Sequence, residues 1–78
     1  MDIRWLRTFV TAAHLENFRQ TAERLYIAQP TVTVHIHHLE KEIGSRLFER
    51  AGRNIVLTDA GRRFLPHAKQ ILSHHDNG

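Results

Sequence analysis

The sequence predicts a mainly α fold, with a three-helix core, a β-hairpin after it and a further helix at the C-terminal end. Three observations carry this. Apolar residues recur three and four apart in the segments beginning at Ile3, Phe18, Gln29 and Thr58. Between Arg46 and Leu57 the pattern changes to short apolar and β-branched runs on either side of a glycine. Asn17, Pro30, Gly44 and Thr58 stand where helices start or stop.

With 78 residues there is room for one small domain, and with no cysteine neither a disulfide nor a thiolate zinc site supports its core. The helices must hold it by packing. Hydrophobic residues at 41% and charged residues at 24% are ordinary for a globular chain and argue against disorder. Asp2, Arg4, Arg7 and Glu16 interrupt the first twenty residues, which excludes a signal peptide, and no stretch suits a membrane span. The expectation is a soluble protein of the cytoplasm.

In the first helix Ile3, Leu6, Phe9, Val10 and Ala13 form one stripe, with Trp5 beside it. Asn17 is a good N-cap for a second helix, and Gln20 follows at capping-box spacing. That helix runs from Phe18 to Leu25 and buries Phe18, Ala22 and Leu25. Tyr26-Ile27-Ala28 must then turn, because Gln29-Pro30 opens the next helix, where proline fits the first turn. Helix three buries Val32, Ile36, Leu39 and Ile43 and ends at Gly44. Strands are expected at 46–50 and 54–57, joined by Ala51-Gly52-Arg53. Thr58 caps a fourth helix through Phe64, Leu65, Ala68, Ile71 and Leu72, which Pro66 should kink or deprive of one hydrogen bond. The polar tail 73–78 should fray.

Two short helices joined by a tight turn, the second opening with polar residues, make a helix-turn-helix at about 18–37, and the hairpin at about 46–57 makes it winged. The domain would occupy 1–58, with a linker or dimerisation helix and its tail over 59–78. Such a unit places its second helix, here 29–42, in the major groove of double-stranded DNA. At about 100° per residue, Pro30, Thr33, Val34 and His37 project away from the buried stripe, with Thr31 and His38 at one flank. Gln29 suits a bidentate pair with adenine, Thr33 a base edge, and Val34 the apolar methyl of thymine. Asn17, Arg19, Thr31, His38, Arg50 and Arg53 are the candidates for phosphate or the minor groove. Net charge agrees. The segment from Arg46 to Arg63 carries five arginines against two acidic residues, and the remaining basic and acidic residues cancel at six each.

Other chemistries find less. The seven histidines invite a metal site, but His35 with His38, or His74 with His75, would supply two imidazoles and no thiolate, so no metal and no cofactor are expected. A protonated His37 or His38 facing phosphate would instead tighten DNA binding at low pH. No phosphate loop or triad is present, so the chain does not read as an enzyme. A winged helix used only for protein–protein interaction is the rival, against which the wing arginines and the polar start of helix three both argue.

The run from Phe18 to Thr33, with Ile36, Leu39-Glu40, Gly44, Leu47-Phe48-Glu49-Arg50 and Leu57-Thr58-Asp59-Ala60-Gly61, resembles the DNA-binding domain of LysR-type transcriptional regulators. The likeness extends from residue 1 through Leu72. It implies a bacterial regulator that binds a two-fold symmetric operator as a homodimer, paired through the helix after the wing. The dimer contacts would be Phe64, Leu65, Ala68, Ile71 and Leu72. It also implies a small-molecule effector bound by a C-terminal domain that this chain lacks. Gln29, Pro30 and Thr33 match the family's base-reading positions, and Arg50 and Arg53 its wing positions. Val34 stands where many members carry a basic or polar residue, His37-His38 where arginine or lysine is usual, and Arg19-Gln20-Thr21 in place of Thr-Arg-Ala.

Overall fold

A computed structural model describes residues 1–77, with side chains through His74. The elements in order are α1 (Ile3–Leu15), α2 (Phe18–Leu25), α3 (Gln29–Ile43), β1 (Phe48–Ala51), β2 (Asn54–Leu57) and α4 (Asp59–Asn77). Each helix boundary has a local cause. The Asp2 carboxylate accepts the Arg4 N–H at 2.7 Å and opens α1. A hydrogen-bonded pair with the Arg4 guanidinium, together with that backbone bond, holds the Asp2 pKa down at about 2. Asn17 accepts the Gln20 N–H at 2.8 Å and opens α2. Glu16, Tyr26 and Gly44 close α1, α2 and α3 in the left-handed conformation, with φ of 55°, 58° and 81°.

The core is one cluster. Leu6, Phe9 and Ala12 of α1 meet Val32, Ile36 and Leu39 of α3, Ala22 of α2, Leu47, Phe48 and Ile55 of the wing region, and Ala68 of α4. Phe9 joins three layers, since its ring lies 5.5 Å from Phe48 and 5.2 Å from Phe64. Among the described residues Thr8 and Thr21 are the buried polar side chains, and both are satisfied. Thr21 donates to the Asn17 carbonyl at 2.8 Å, and Thr8 Oγ1 lies 2.8 Å from His35 Nδ1.

Three sequence expectations shift. The first strand begins at Phe48 rather than Arg46 and reaches Ala51, which pairs with Asn54, so the loop is only Gly52-Arg53. Gly52 supplies its positive φ of 65°. The fourth helix continues past Pro66 and includes residues 73–77 that were expected to fray, while Gly78 lies outside the described residues. Pro66 sits on the exposed side of α4, where water can take the carbonyl left without a donor. Among the described residues no helix is long and apolar enough to cross a membrane.

The first turn of α4 sits close against the chain before the wing. A Cβ added to Gly61 would fall inside van der Waals contact with the Leu47 carbonyl oxygen and 2.8 Å from Leu57 Cδ2. Neither a backbone oxygen nor a packed leucine can yield easily. Gly61→Ala should therefore destabilise the domain by about 2 kcal/mol or more, despite alanine's advantage of about 1 kcal/mol in helices. Differential scanning calorimetry should register a fall of roughly 10 °C in Tm, and an unchanged Tm would refute the close approach.

His35 is pushed below the ordinary histidine range by burial first, and then by the positive charge of Arg4. The fold thus binds this proton more weakly than the unfolded chain does. Stability present at neutral pH is lost as pH falls through the unfolded value of about 6.5, and the loss levels off below the folded value. His35→Gln, which keeps a partner for Thr8 but cannot ionise, should show a shallower loss between about pH 7.5 and 5 in denaturant titrations. Parallel curves for the two proteins would assign the acid sensitivity elsewhere.

Candidate nucleic-acid interface

The face of α3 turned toward the hairpin and the hairpin itself are the two walls of a groove of about 670 Å³. Its apolar floor includes Ile36, Phe48 and Ile55, all buried. Gln29, Thr33 and His37 line the α3 side, Arg50 and Arg53 the wing side, and Asn17 and Arg19 the end where α2 begins. Seven of the eleven residues singled out in the sequence as DNA contacts are therefore gathered around one concavity.

The other four are not in it. Pro30 and Val34 are exposed on the outermost line of α3, beyond the groove's rim. Thr31 and His38 lie on the opposite flank of the helix. The His38 ring stacks on Trp5 of α1 with centroids 4.5 Å apart and planes 18° from parallel. Of the histidines considered for pH-dependent phosphate contact, His37 is the one lining the groove. His35 turns inward to Thr8. No group of three His, Asp or Glu side chains is placed to hold a metal among the described residues.

The groove is built by hydrogen bonds that tie the wing to the helices. Ile55 N–H donates to the Glu16 carbonyl at 3.1 Å, so β2 is anchored on the turn between α1 and α2. Asn17 Nδ2 donates to Asn54 Oδ1 at 3.3 Å, so the residue that caps α2 also holds the start of β2. The Leu47 N–H donates to Glu40 Oε2 at 2.8 Å, fixing the approach to β1 onto α3. Asn17, assigned to phosphate in the sequence, therefore has its side chain engaged within the fold. Arg19 pairs with Glu23 at 3.2 Å on an exposed surface, a link that costs little to exchange for an anion.

Arg46, Glu40, Glu49 and Asn54 also line the groove and received no role in the sequence reading. Arg46 was counted in the basic segment, but only the hairpin's placement shows that it faces α3. Four arginines (Arg19, Arg46, Arg50, Arg53) against two glutamates (Glu40, Glu49) give the lining a formal charge of +2 from these six residues. Ala28, the N-cap of α3, makes no side-chain capping bond, so the positive end of the helix dipole is not answered there by a side chain. An open, cationic groove beside a protruding helix suits an anionic, grooved polymer better than a small ligand.

The face of α4 assigned to a partner subunit divides. Ala68 is fully enclosed within the chain and Phe64 packs on Phe9, so both serve this domain's own core. Leu65, Ile71 and Leu72 are packed against the core but keep part of their surface exposed.

The family model for the bacterial regulatory helix-turn-helix protein, lysR family, matches residues 3–62. The chain is 62% identical over 77 residues to the HTH-type transcriptional regulator CitR of Bacillus subtilis (strain 168), covering 99% of this chain and 26% of that protein. It thus spans about a quarter of the length of this relative. Among solved structures it is similar to the CbnR DNA-binding domain in complex with DNA, with TM-score 0.93 and 38% identity, covering 99% of this chain and 88% of that one. The BenM DNA-binding domain bound to benA site 1 DNA gives TM-score 0.90 and 38% identity, covering 99% and 90%. Fold, groove and sequence agree, and the chain belongs to the lysR family of bacterial regulatory helix-turn-helix proteins.

Proposed function

We propose that this chain is the sequence-specific DNA-binding domain of a bacterial transcriptional regulator, acting by binding and without catalysis. The carrying observation is the convergence of Gln29, Thr33 and His37 with Arg46, Arg50 and Arg53 on one groove. With α3 in the major groove, its first turns meet base edges and the wing falls on the flanking backbone or minor groove. The DNA complexes of the similar CbnR and BenM domains support the assignment. Leu65, Ile71 and Leu72 would join α4 to the same helix of a second subunit, giving a two-fold symmetric reader. A small-molecule effector would act through a further domain of the kind that the longer relatives have room for. A cytoplasmic, nucleoid-associated location follows from this reading.

Selection of bound duplexes from a randomised pool, with non-specific competitor present, tests the proposal directly. An interrupted palindrome should emerge, and an unenriched pool would overturn it. Arg53→Ala should weaken binding across sequences and lower the dependence of log affinity on log salt by about one. Fluorescence anisotropy at several salt concentrations measures both quantities, and a variant with native affinity and slope would take the wing off the DNA.

Leu72→Glu places a charge on the partly exposed line of α4. Sedimentation should show a shift toward monomer, with a matching loss of operator affinity. If the variant remains dimeric, or binds as tightly when monomeric, pairing through α4 is wrong.

A further inference from the structure

Val34 is 49% exposed on a helix whose other aliphatic side chains are buried or packed on the core. Its neighbour one turn earlier is Pro30, also exposed. At about 100° per residue the two lie on nearly one line, the outermost of α3. Thr33 and His37 flank that line on the groove side, and Thr31 and His38 on the side of α1. Lys41 continues it two turns after Val34. The protruding edge of α3 is thus apolar over its first two turns and cationic at its far end. Nothing in the core is gained by this arrangement, because both residues point away from it.

We infer that the Pro30–Val34 edge reads the 5-methyl group of a pyrimidine, so that one thymine of each half-site is recognised by its methyl group rather than by hydrogen bonds. The inference rests on the DNA-binding reading above and names what that binding distinguishes. In the major groove the thymine methyl is the apolar feature among otherwise polar base edges. Valine in a helix is held near one χ1 rotamer, so it presents its two methyl groups with little freedom left to lose. Valine also has no donor for the acceptors of guanine. A guanine beneath it would lose water and gain no partner, so the same residue selects against that base. Lys41, near the end of the same edge, is placed to meet phosphate where the helix leaves the groove. The cationic groove beside the edge is what commits this apolar surface to DNA rather than to an apolar protein partner.

The experiment begins with the duplex recovered by selection. Each thymine of its half-site is replaced in turn by deoxyuridine, which removes the methyl group and leaves every hydrogen-bonding atom in place. Affinities are measured by anisotropy. The native chain should lose about fourfold at one thymine of the half-site and nothing at the rest. In Val34→Ser that loss should disappear at the same thymine. Serine and valine have similar helix propensities, so the variant is expected to keep its helix, which circular dichroism checks. A second measurement needs no variant. With that T·A pair replaced by C·G, methylating the cytosine at C5 should recover about fourfold for the native chain. A selected duplex that tolerates deoxyuridine at every position, or a loss that Val34→Ser leaves unchanged, overturns the inference while the DNA-binding reading stands. Failure of the selection itself to enrich any duplex overturns both.

Discussion

The main chain at Leu47 is the constraint on which the rest of the structure depends. Its side chain is fully buried, its N–H donates to the Glu40 carboxylate of α3, and its carbonyl accepts the Thr58 N–H at 3.0 Å. Thr58 also donates its hydroxyl to the Arg46 carbonyl and accepts the Gly61 N–H, so one threonine closes the hairpin and opens α4. Gly61 lets the first turn of α4 rest against the same carbonyl. Recognition helix, wing and C-terminal helix are therefore located by the atoms of a single peptide segment. This accounts physically for Glu40, Leu47, Thr58 and Gly61 within the stretches Leu39-Glu40, Leu47-Phe48 and Leu57-Thr58-Asp59-Ala60-Gly61. They are the acceptor, donors and clearance of that junction, while Leu39 and Phe48 belong to the core.

A reader of DNA needs its two reading elements held at a fixed spacing, because a misplacement of an ångström loses a base contact. The wing is too short to be stable on its own, with strands of four residues. It gains definition from the Leu47 junction at one end and from Asn17 and Glu16 at the other, through Asn54 and Ile55. The hairpin is thus pinned at both ends to the helices that flank the groove. Only its tip at Gly52-Arg53 is unsupported by these bonds, and that tip is where an arginine gains from reach.

How much of this the sequence disclosed follows from what kind of signal each feature leaves. Helix α2 was legible to the residue and α3 to within one, because Asn17, Pro30 and Gly44 act locally and the apolar period does the rest. The start of β1 was not, because Leu47 looks like a strand residue and stands opposite Thr58, but its N–H goes to Glu40 and the Thr58 carbonyl accepts from Arg62 of α4, so the regular ladder begins at Phe48. The groove's α3 side was legible from the helical period, which places Thr33 and His37 off the core. The flank carrying His38 was placed by angle, but periodicity on one helix says nothing of which neighbour lies there. Trp5 supplies that neighbour. Likewise the apolar stripe of α4 was visible, but not that Ala68 and Phe64 would be consumed by α1.

Glu40 illustrates how such a surface divides positioning from affinity. A carboxylate in a groove that faces phosphate is electrostatically unfavourable, and replacing it with a neutral residue would raise the groove's charge from +2 to +3. It is kept because a charged acceptor makes a stronger bond to the partly buried Leu47 N–H than a neutral one would, and that N–H has no strand partner to turn to. Part of the long-range attraction to DNA is given up so that the wing arginines stand at a fixed distance from α3. Since phosphate attraction acts on all sequences alike and placement acts on one, the exchange favours discrimination over strength. The same logic applies to Val34, since a cation on that exposed edge would add to the attraction for every phosphate, and valine forgoes it.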